Sequence, residues 1–121
     1  MSNILIVDDS MTMRQMVNFT LSSAGHSVTE AGNTDEALLN AQKQRFDLVI
    51  SDVNMPGRSG IELVAELRKL ADYKFVPIIL LTTESQPEMK SKGRAAGATG
   101  WIVKPFDPEA LLGVLRKVLP A

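Results

Sequence analysis

Four short apolar runs occur along the chain, and each is short enough to be a single buried β-strand. They are Ile4-Leu5-Ile6-Val7, Leu48-Val49-Ile50, Ile78-Ile79-Leu80-Leu81 and Trp101-Ile102-Val103. Because these residues are continuous and do not alternate with polar ones, they are typical of parallel strands that helices cover on both faces. A fifth segment, at residues 27–31, alternates between polar and apolar side chains and therefore predicts an edge strand.

Between the predicted strands, apolar side chains recur at helical spacing. The predicted helices lie within residues 13–24, 37–41, 61–71, 85–97 and 107–119. Gly25 predicts the end of the first helix, and two capping boxes, Ser59-x-x-Glu62 and Ser85-x-x-Glu88, open the third and fourth. Strict alternation of strands and helices predicts an α/β sandwich around a parallel sheet.

Length and composition restrict the class of protein. With 121 residues and 45% hydrophobic side chains, the chain has the size of one domain, spanning residues 1–121. A net charge of −1 gives no reason to expect binding to nucleic acids or membranes. The absence of cysteine excludes a thiolate zinc site, and the single histidine, His26, cannot form a histidine-rich metal cluster. We therefore expect a soluble, cytoplasmic protein, because no apolar run is long enough to span a bilayer. We also expect it to be a monomer.

Residues with acidic, hydroxyl or amino groups come immediately after four of the predicted strands. Asp8 and Asp9 come after the first strand, Asp52 after the third, Thr82 after the fourth and Lys104 after the fifth. Taken singly, each has a simpler interpretation, such as a helix-capping turn, a loop acid, a strand-end hydroxyl or a surface lysine. Because ligands of open α/β sheets bind at the carboxyl ends of the strands, their joint occurrence indicates a functional site.

Three carboxylates brought close together repel one another, and this repulsion between their negative charges must be offset. Adjacent strands lie about 4.8 Å apart, so neighbouring first and third strands would bring their terminal carboxylates close together. Two unit charges about 4 Å apart repel by roughly 4 kcal/mol at an effective dielectric constant near 20. The acids therefore need either a cation or raised pKa values. With oxygen ligands only, a hard ion is favoured, and Mg²⁺ fits best because it keeps several waters.

Five motifs occur in order along the chain. They lie at residues 4–10 (ILIVDDS), 52–56 (DVNMP) with Gly60, 80–82 (LLT), 97–98 (GA) and 104–106 (KPF). This set resembles the receiver domain of two-component response regulators nearly end to end, and it is most similar to single-domain chemotaxis regulators of the CheY type. The resemblance implies a flavodoxin-like (βα)5 three-layer sandwich, with a parallel five-stranded sheet of order 2-1-3-4-5.

The resemblance also implies a chemistry for the acidic residues. Asp52 is expected to be the phosphoacceptor, which attacks a phosphohistidine on a histidine kinase to give an acyl phosphate. Asp9, Asp52 and the backbone carbonyl of Asn54 are expected to bind one Mg²⁺ directly, and Asp8 to act mainly through a bound water. The metal would offset charge that otherwise repels the incoming phosphoryl group.

Other matched positions are expected to sense the phosphoryl group. Lys104 is expected to pair with one phosphoryl oxygen, and Thr82 to donate its hydroxyl to another. On activation, Thr82 would move toward the phosphoryl group and Trp101 would turn inward behind it. This movement would change the surface formed by the fourth helix, the fifth strand and the fifth helix, where basic residues of the fourth helix suit an acidic partner peptide. The resemblance also predicts a cis bond between Lys104 and Pro105.

The expected output is a protein contact, because the chain ends at Ala121 and leaves no room for a DNA-binding effector. A flagellar motor switch protein is the favoured partner, and a phosphatase is a further one. The alternative function is that of a relay or phosphate-sink regulator, which would pass the phosphoryl group to a histidine phosphotransfer protein. A dedicated enzyme is not expected, since a Mg²⁺-dependent phosphatase of the haloacid dehalogenase kind needs a general acid where this chain has Asn54. A flavin- or nucleotide-binding module would need a glycine-rich phosphate loop, which the sequence lacks. Asn54 and Glu84 are expected to set the rate of acyl phosphate hydrolysis.

Overall fold

Strands and helices alternate strictly along the chain. The computed structural model describes residues 2–55, 57–83, 87–104 and 106–119, without the side chain of Pro87. The strands are β1 Asn3–Val7, β2 Ser27–Ala31, β3 Leu48–Asp52, β4 Ile78–Thr82 and β5 Gly100–Val103. The helices are α1 Met11–Ser23, α2 Thr34–Lys43, α3 Gly60–Arg68, α4 Pro87–Ala96 and α5 Pro108–Val118, and a 3-10 turn at Ala71–Tyr73 follows α3. Within the described residues, no helix has the length and apolar character needed to cross a lipid bilayer.

The five strands are parallel and form one sheet. Their order is β2-β1-β3-β4-β5, which confirms the order implied by the resemblance. β1 and β3 are neighbours, with Val7 opposite Ser51, and Thr82 at the end of β4 lies opposite Val103 of β5. The segments that follow β1, β3, β4 and β5 therefore all begin at one edge of the sheet, where ligands of this architecture bind.

Two apolar clusters cover the two faces of the sheet and produce the predicted three-layer sandwich. On one face, strand side chains such as Leu5 and Val49 pack with residues of α2 and α3. On the other face, Ile6 and Ile50 pack with residues of α1 and α5. Every residue of β3 and β4 is buried, as expected for parallel strands covered on both sides.

The two outer strands, β2 and β5, differ in how well their patterns predicted their position. β2 lies at one edge of the sheet, which confirms the prediction from its alternating pattern. The run at Trp101-Ile102-Val103 is covered less completely than predicted, because Trp101 and Ile102 pack against the core clusters on the two faces but are only partly buried, and Val103 is 41% exposed. The reason is that β5 forms the opposite edge of the sheet, where it has one neighbouring strand and incomplete cover.

Most helix ends follow the local signals in the sequence. α1 ends before Gly25, where φ is +95°, and α4 ends before Gly97, where φ is +112°, so both turns use a backbone conformation that favours glycine. The capping box of α3 is confirmed, since the Ser59 hydroxyl accepts a hydrogen bond from the backbone N–H of Glu62 at 3.2 Å. The other predicted capping box begins at Ser85, which lies outside the described residues.

The third helix is shorter than its apolar pattern predicted. The prediction extended it to Ala71, but α3 ends at Arg68 and Leu70 has the extended backbone angles φ −83° and ψ 132°. Leu70 still packs against the core beside α3. Its apolar side chain therefore continued the helical spacing although its backbone had already left the helix.

Candidate functional site

Three carboxylates meet at the carboxyl edge of the sheet. Asp8 and Asp9 directly follow β1, Asp52 is the last residue of β3, and oxygens of all three side chains lie within 4.8 Å of one another. Asp8 is 2% exposed and Asp52 is 6% exposed, whereas Asp9 is exposed to solvent. The predicted convergence of these acids is confirmed, and its cause is the pairing of β1 with β3.

The turn that carries Asp8 is held by its own backbone contacts. The Asp8 N–H donates to the carbonyl of Ala31 at 3.1 Å, and its carboxylate accepts from the N–H of Ser10 at 2.9 Å. Ser10 in turn caps α1, because its hydroxyl accepts from the N–H of Met13 at 3.2 Å. Arg14 lies in the same helix, and its guanidinium donates a hydrogen bond to the backbone carbonyl of Asp8. The two acids of the turn therefore supply the cluster, whereas the next residue, Ser10, caps the helix.

Lys104 bridges the two buried carboxylates. Its Nζ atom lies 3.1 Å from Asp8 Oδ2 and 3.3 Å from Asp52 Oδ1, and its side chain is only 13% exposed. The Lys104 N–H donates to the carbonyl of Thr82 at 2.7 Å, which extends the pairing of β4 with β5 to this edge. Lys104 therefore belongs to the buried charged cluster and is not a solvated surface lysine. The predicted cis bond involves Pro105, which lies outside the described residues.

Asp52 has surroundings that oppose its ionisation. Burial raises the pKa of the Asp52 carboxyl, and the neighbouring Asp8 carboxylate raises it further. The Lys104 ammonium and a hydrogen bond from the backbone of Asn54 act in the opposite direction, but the pKa remains above its ordinary value. A raised pKa is one of the two forms of compensation predicted for clustered acids. A nucleophilic carboxylate must be ionised, so added positive charge would favour its reactive form.

The charge and the donor atoms of the cluster fit a divalent cation. When all groups are ionised, three carboxylates and one ammonium leave two negative charges. Carboxylate oxygens are the ligands that hard cations prefer, and Asp9 gives the cluster an exposed side through which an ion can enter. The cluster can therefore hold a divalent metal ion at the end of β1 and β3.

Thr82 and Asn54 lie beside each other at the same edge. Thr82 is fully buried as the last residue of β4, and its hydroxyl oxygen lies 3.5 Å from the side-chain nitrogen of Asn54. Asn54 is exposed in the segment that follows Asp52. The structure thus brings together the predicted acids, the lysine, the hydroxyl and the amide, while their catalytic and ligand roles stay predictions.

Comparisons with known proteins agree with this arrangement. The response regulator receiver domain family matches residues 4–116 of the chain. The chain belongs to this family. Protein PilH of Pseudomonas aeruginosa is 36% identical to it over 119 residues, which is 98% of each chain. This receiver domain is therefore a signalling domain and not a dedicated enzyme.

Solved structures of other receiver domains match nearly the whole chain. The chemotaxis protein CheY4 of Vibrio cholerae is 55% identical with a TM-score of 0.96, covering 98% of this chain and 99% of its own. The response regulator TrrA of Thermotoga maritima, solved with Mg²⁺-BeF, is 36% identical with a TM-score of 0.88, covering 98% of this chain and all of its own. These relatives include CheY-like chemotaxis regulators, as the sequence motifs predicted.

Trp101 of this receiver domain lies apart from the acidic cluster. It is on β5 opposite Leu80, and its partly buried side chain packs against one of the two core clusters. It also lines a groove with Lys90 and Arg94 of α4. Its predicted role in switching therefore depends on a connection through α4 and the strands, and it stays a prediction.

Gly60 belongs to one of the sequence motifs, and the structure shows why this position is a glycine. A Cβ atom at this position would lie 2.0 Å from the backbone carbonyl oxygen of Asp52, to which the Ser51 hydroxyl already donates at 2.9 Å. Glycine therefore lets the first turn of α3 approach the end of β3. The only sequence signal for this contact is a glycine at a helix start, where better helix formers are available.

Proposed function

We propose that this receiver domain is a phospho-accepting response regulator in which Asp52 takes a phosphoryl group from a histidine kinase. The main observation that supports this proposal is that the buried Asp52 carboxylate lies within an acidic cluster and 3.3 Å from the Lys104 ammonium. In this proposal Asp9, Asp52 and the Asn54 carbonyl hold one Mg²⁺, with Asp8 acting through a water. The proposed unit is one domain spanning residues 1–121.

The transfer uses the carboxylate of Asp52 as the nucleophile. One Asp52 oxygen attacks the phosphorus of a phosphohistidine, the phosphorus–nitrogen bond breaks, and the histidine nitrogen keeps the electron pair. Lys104 Nζ already lies within hydrogen-bond distance of Asp52, so it can contact an oxygen of a phosphoryl group attached there. The Thr82 hydroxyl is proposed to donate to another oxygen. When bound, Mg²⁺ supplies positive charge that offsets repulsion between the carboxylates and the phosphoryl oxygens.

The proposed output surface consists of α4, β5 and α5. Lys90 and Arg94 of α4 line a groove with Trp101 of β5, and their positive charges suit a partner with an acidic binding segment. Similarity to a chemotaxis protein supports a motor-related partner, so we propose a flagellar motor switch protein. We further propose that the protein acts as a monomer in the cytoplasm.

Phosphorylation with a small donor tests the assignment of Asp52. Incubation with acetyl phosphate and Mg²⁺ should add one phosphoryl group by intact mass, and Asp52→Asn should abolish the addition. Asp72→Asn, which changes an exposed acid on the turn after α3, is the matched control and should be modified like the parent. Circular dichroism checks that each variant is folded. Modification that persists in Asp52→Asn would place the acceptor on another residue.

A further inference from the structure

A glycine in the middle of α4 occupies a buried position that leaves little room for a side chain. Glycine inside a helix costs about 1 kcal/mol relative to alanine, so its presence there needs a reason. Gly93 is buried, and a Cβ atom on it would lie 2.9 Å from Leu80 Cδ1 and 3.2 Å from Trp101 Cζ3. Leu80 Cδ1 ends a flexible side chain and can rotate away, whereas the indole is rigid. We call this space, between Gly93 and the ring of Trp101, the α4 notch.

The α4 notch lies over a pair of strand residues connected to the acidic site. Leu80 and Trp101 are opposite each other in the pairing of β4 with β5. Thr82 comes two residues after Leu80 and therefore points to the same face of the sheet. The contact between α4 and the indole therefore lies over β4, and β4 ends at Thr82, whose hydroxyl is proposed to contact the phosphoryl group.

A second glycine in the middle of a helix does not share the close packing of Gly93. Gly113 lies inside α5, and a Cβ atom there would meet only Arg116 Nη2, at 3.7 Å, which is ordinary contact. A side chain at position 113 therefore finds enough space, whereas at position 93 it fits only if the indole gives way by a few tenths of an ångström. The difference between the two helices is the indole under α4.

We propose that Gly93 is a positioning residue for Trp101. The missing Cβ lets the six-membered ring of the indole pack against α4, so the positions of the indole and the helix are coupled. A side chain at position 93 pushes the indole outward and weakens that coupling. The regulatory part of this inference rests on the proposed function, in which α4 and β5 carry the output surface.

A double-mutant cycle tests the packing. Gly93→Ala should lower stability in the parent but be neutral or stabilising beside Trp101→Val, where no ring remains. Because Gly93 and Trp101 are in contact, we expect the effect of Gly93→Ala on the unfolding equilibrium constant to differ about fivefold between the two backgrounds. Urea unfolding followed by circular dichroism measures this difference. Gly113→Ala is the matched control and should act equally in both backgrounds. An equal cost of Gly93→Ala in both backgrounds would overturn the proposal.

Fluorescence of the single tryptophan tests the positioning itself. In Gly93→Ala, without any ligand, emission should shift to longer wavelength and acrylamide should quench it more strongly, while Gly113→Ala should match the parent. Beryllofluoride with Mg²⁺ should then produce a different emission change in Gly93→Ala than in the parent. Parental emission, quenching and beryllofluoride response would overturn the proposal. Failure of Asp52 to accept a phosphoryl group would contradict the proposed function but leave the ligand-free results unaffected, so the two failures are distinguishable.

Discussion

Replacing Gly60 with alanine tests how closely α3 must approach the strand that carries Asp52. Gly60 is the first residue of α3, and it is not among the described glycines that have a positive φ. Alanine can therefore adopt its backbone conformation, and only the available space opposes the substitution. The nearest atoms belong to the backbone of Asp52, which cannot rotate away as the end of a side chain can.

The structure gives the size of the expected effect. The new Cβ would lie 2.0 Å from the Asp52 carbonyl oxygen, whereas real Cβ contacts essentially never fall below 3.0 Å. Helix and strand must then separate by about 1 Å, and overpacking of this kind costs about 1–3 kcal/mol of unfolding free energy. The gain of up to about 1 kcal/mol from the better helix propensity of alanine does not offset this cost. A displacement of about 1 Å at a reacting group can also lower the rate about 100-fold.

Two measurements on Gly60→Ala separate these effects. Urea unfolding gives the change in free energy, and intact mass during incubation with acetyl phosphate and Mg²⁺ gives the rate of phosphorylation. Gly113→Ala makes the same chemical change where space is available, so it should keep the parental rate and have equal or greater stability. Parental stability and rate in Gly60→Ala would refute the argument. Reduced stability with a parental rate would show that the contact supports the fold without positioning Asp52.

Two buried hydrogen-bonding side chains give further predictions. Tyr73→Phe should lower the unfolding free energy by about 1–3 kcal/mol, because the buried Tyr73 hydroxyl accepts a hydrogen bond from the N–H of Phe46 at 3.2 Å. An unchanged urea midpoint would contradict this. Arg68→Met should speed amide hydrogen exchange at the end of α4, because the Arg68 guanidinium donates to the Gly97 carbonyl at 2.7 and 3.0 Å. Unchanged exchange there would show that this contact does not hold the helix end.

Most of the fold and the edge that carries the acids could be predicted because both depend on local patterns. Continuous apolar runs identify β1, β3 and β4 as covered parallel strands. Once parallel strands are assigned, polar residues directly after them must share one edge of the sheet. The neighbouring positions of β1 and β3, which bring Asp8, Asp9 and Asp52 together, were implied only by the resemblance to receiver domains. Periodicity was less informative for β5, because an apolar run looks the same at an edge as in the centre of a sheet.

Contacts between distant segments could not be predicted from the sequence. The pattern shows that Lys104 follows a strand, but its bridge between Asp8 and Asp52 depends on distances across the sheet. The same is true of the two glycines that allow close approach of a helix. Gly60 faces a backbone carbonyl and Gly93 faces an indole, and although each partner is only eight residues away, it lies on another element and no periodic pattern pairs it with the glycine.

Two contacts of helix α4 affect how a change in its position can be measured. Arg68 connects its C-terminal end to α3 through the Gly97 carbonyl, and Gly93 packs on Trp101 in its middle. In the proposed switch, a movement of Thr82 toward a phosphoryl group would act on the strand that lies beneath these contacts. Because the indole contacts the middle of α4, Trp101 emission would depend on the position of α4 as well as on its own rotamer. A fluorescence change on phosphorylation can be assigned to the side chain alone only if it is unaffected by Gly93→Ala.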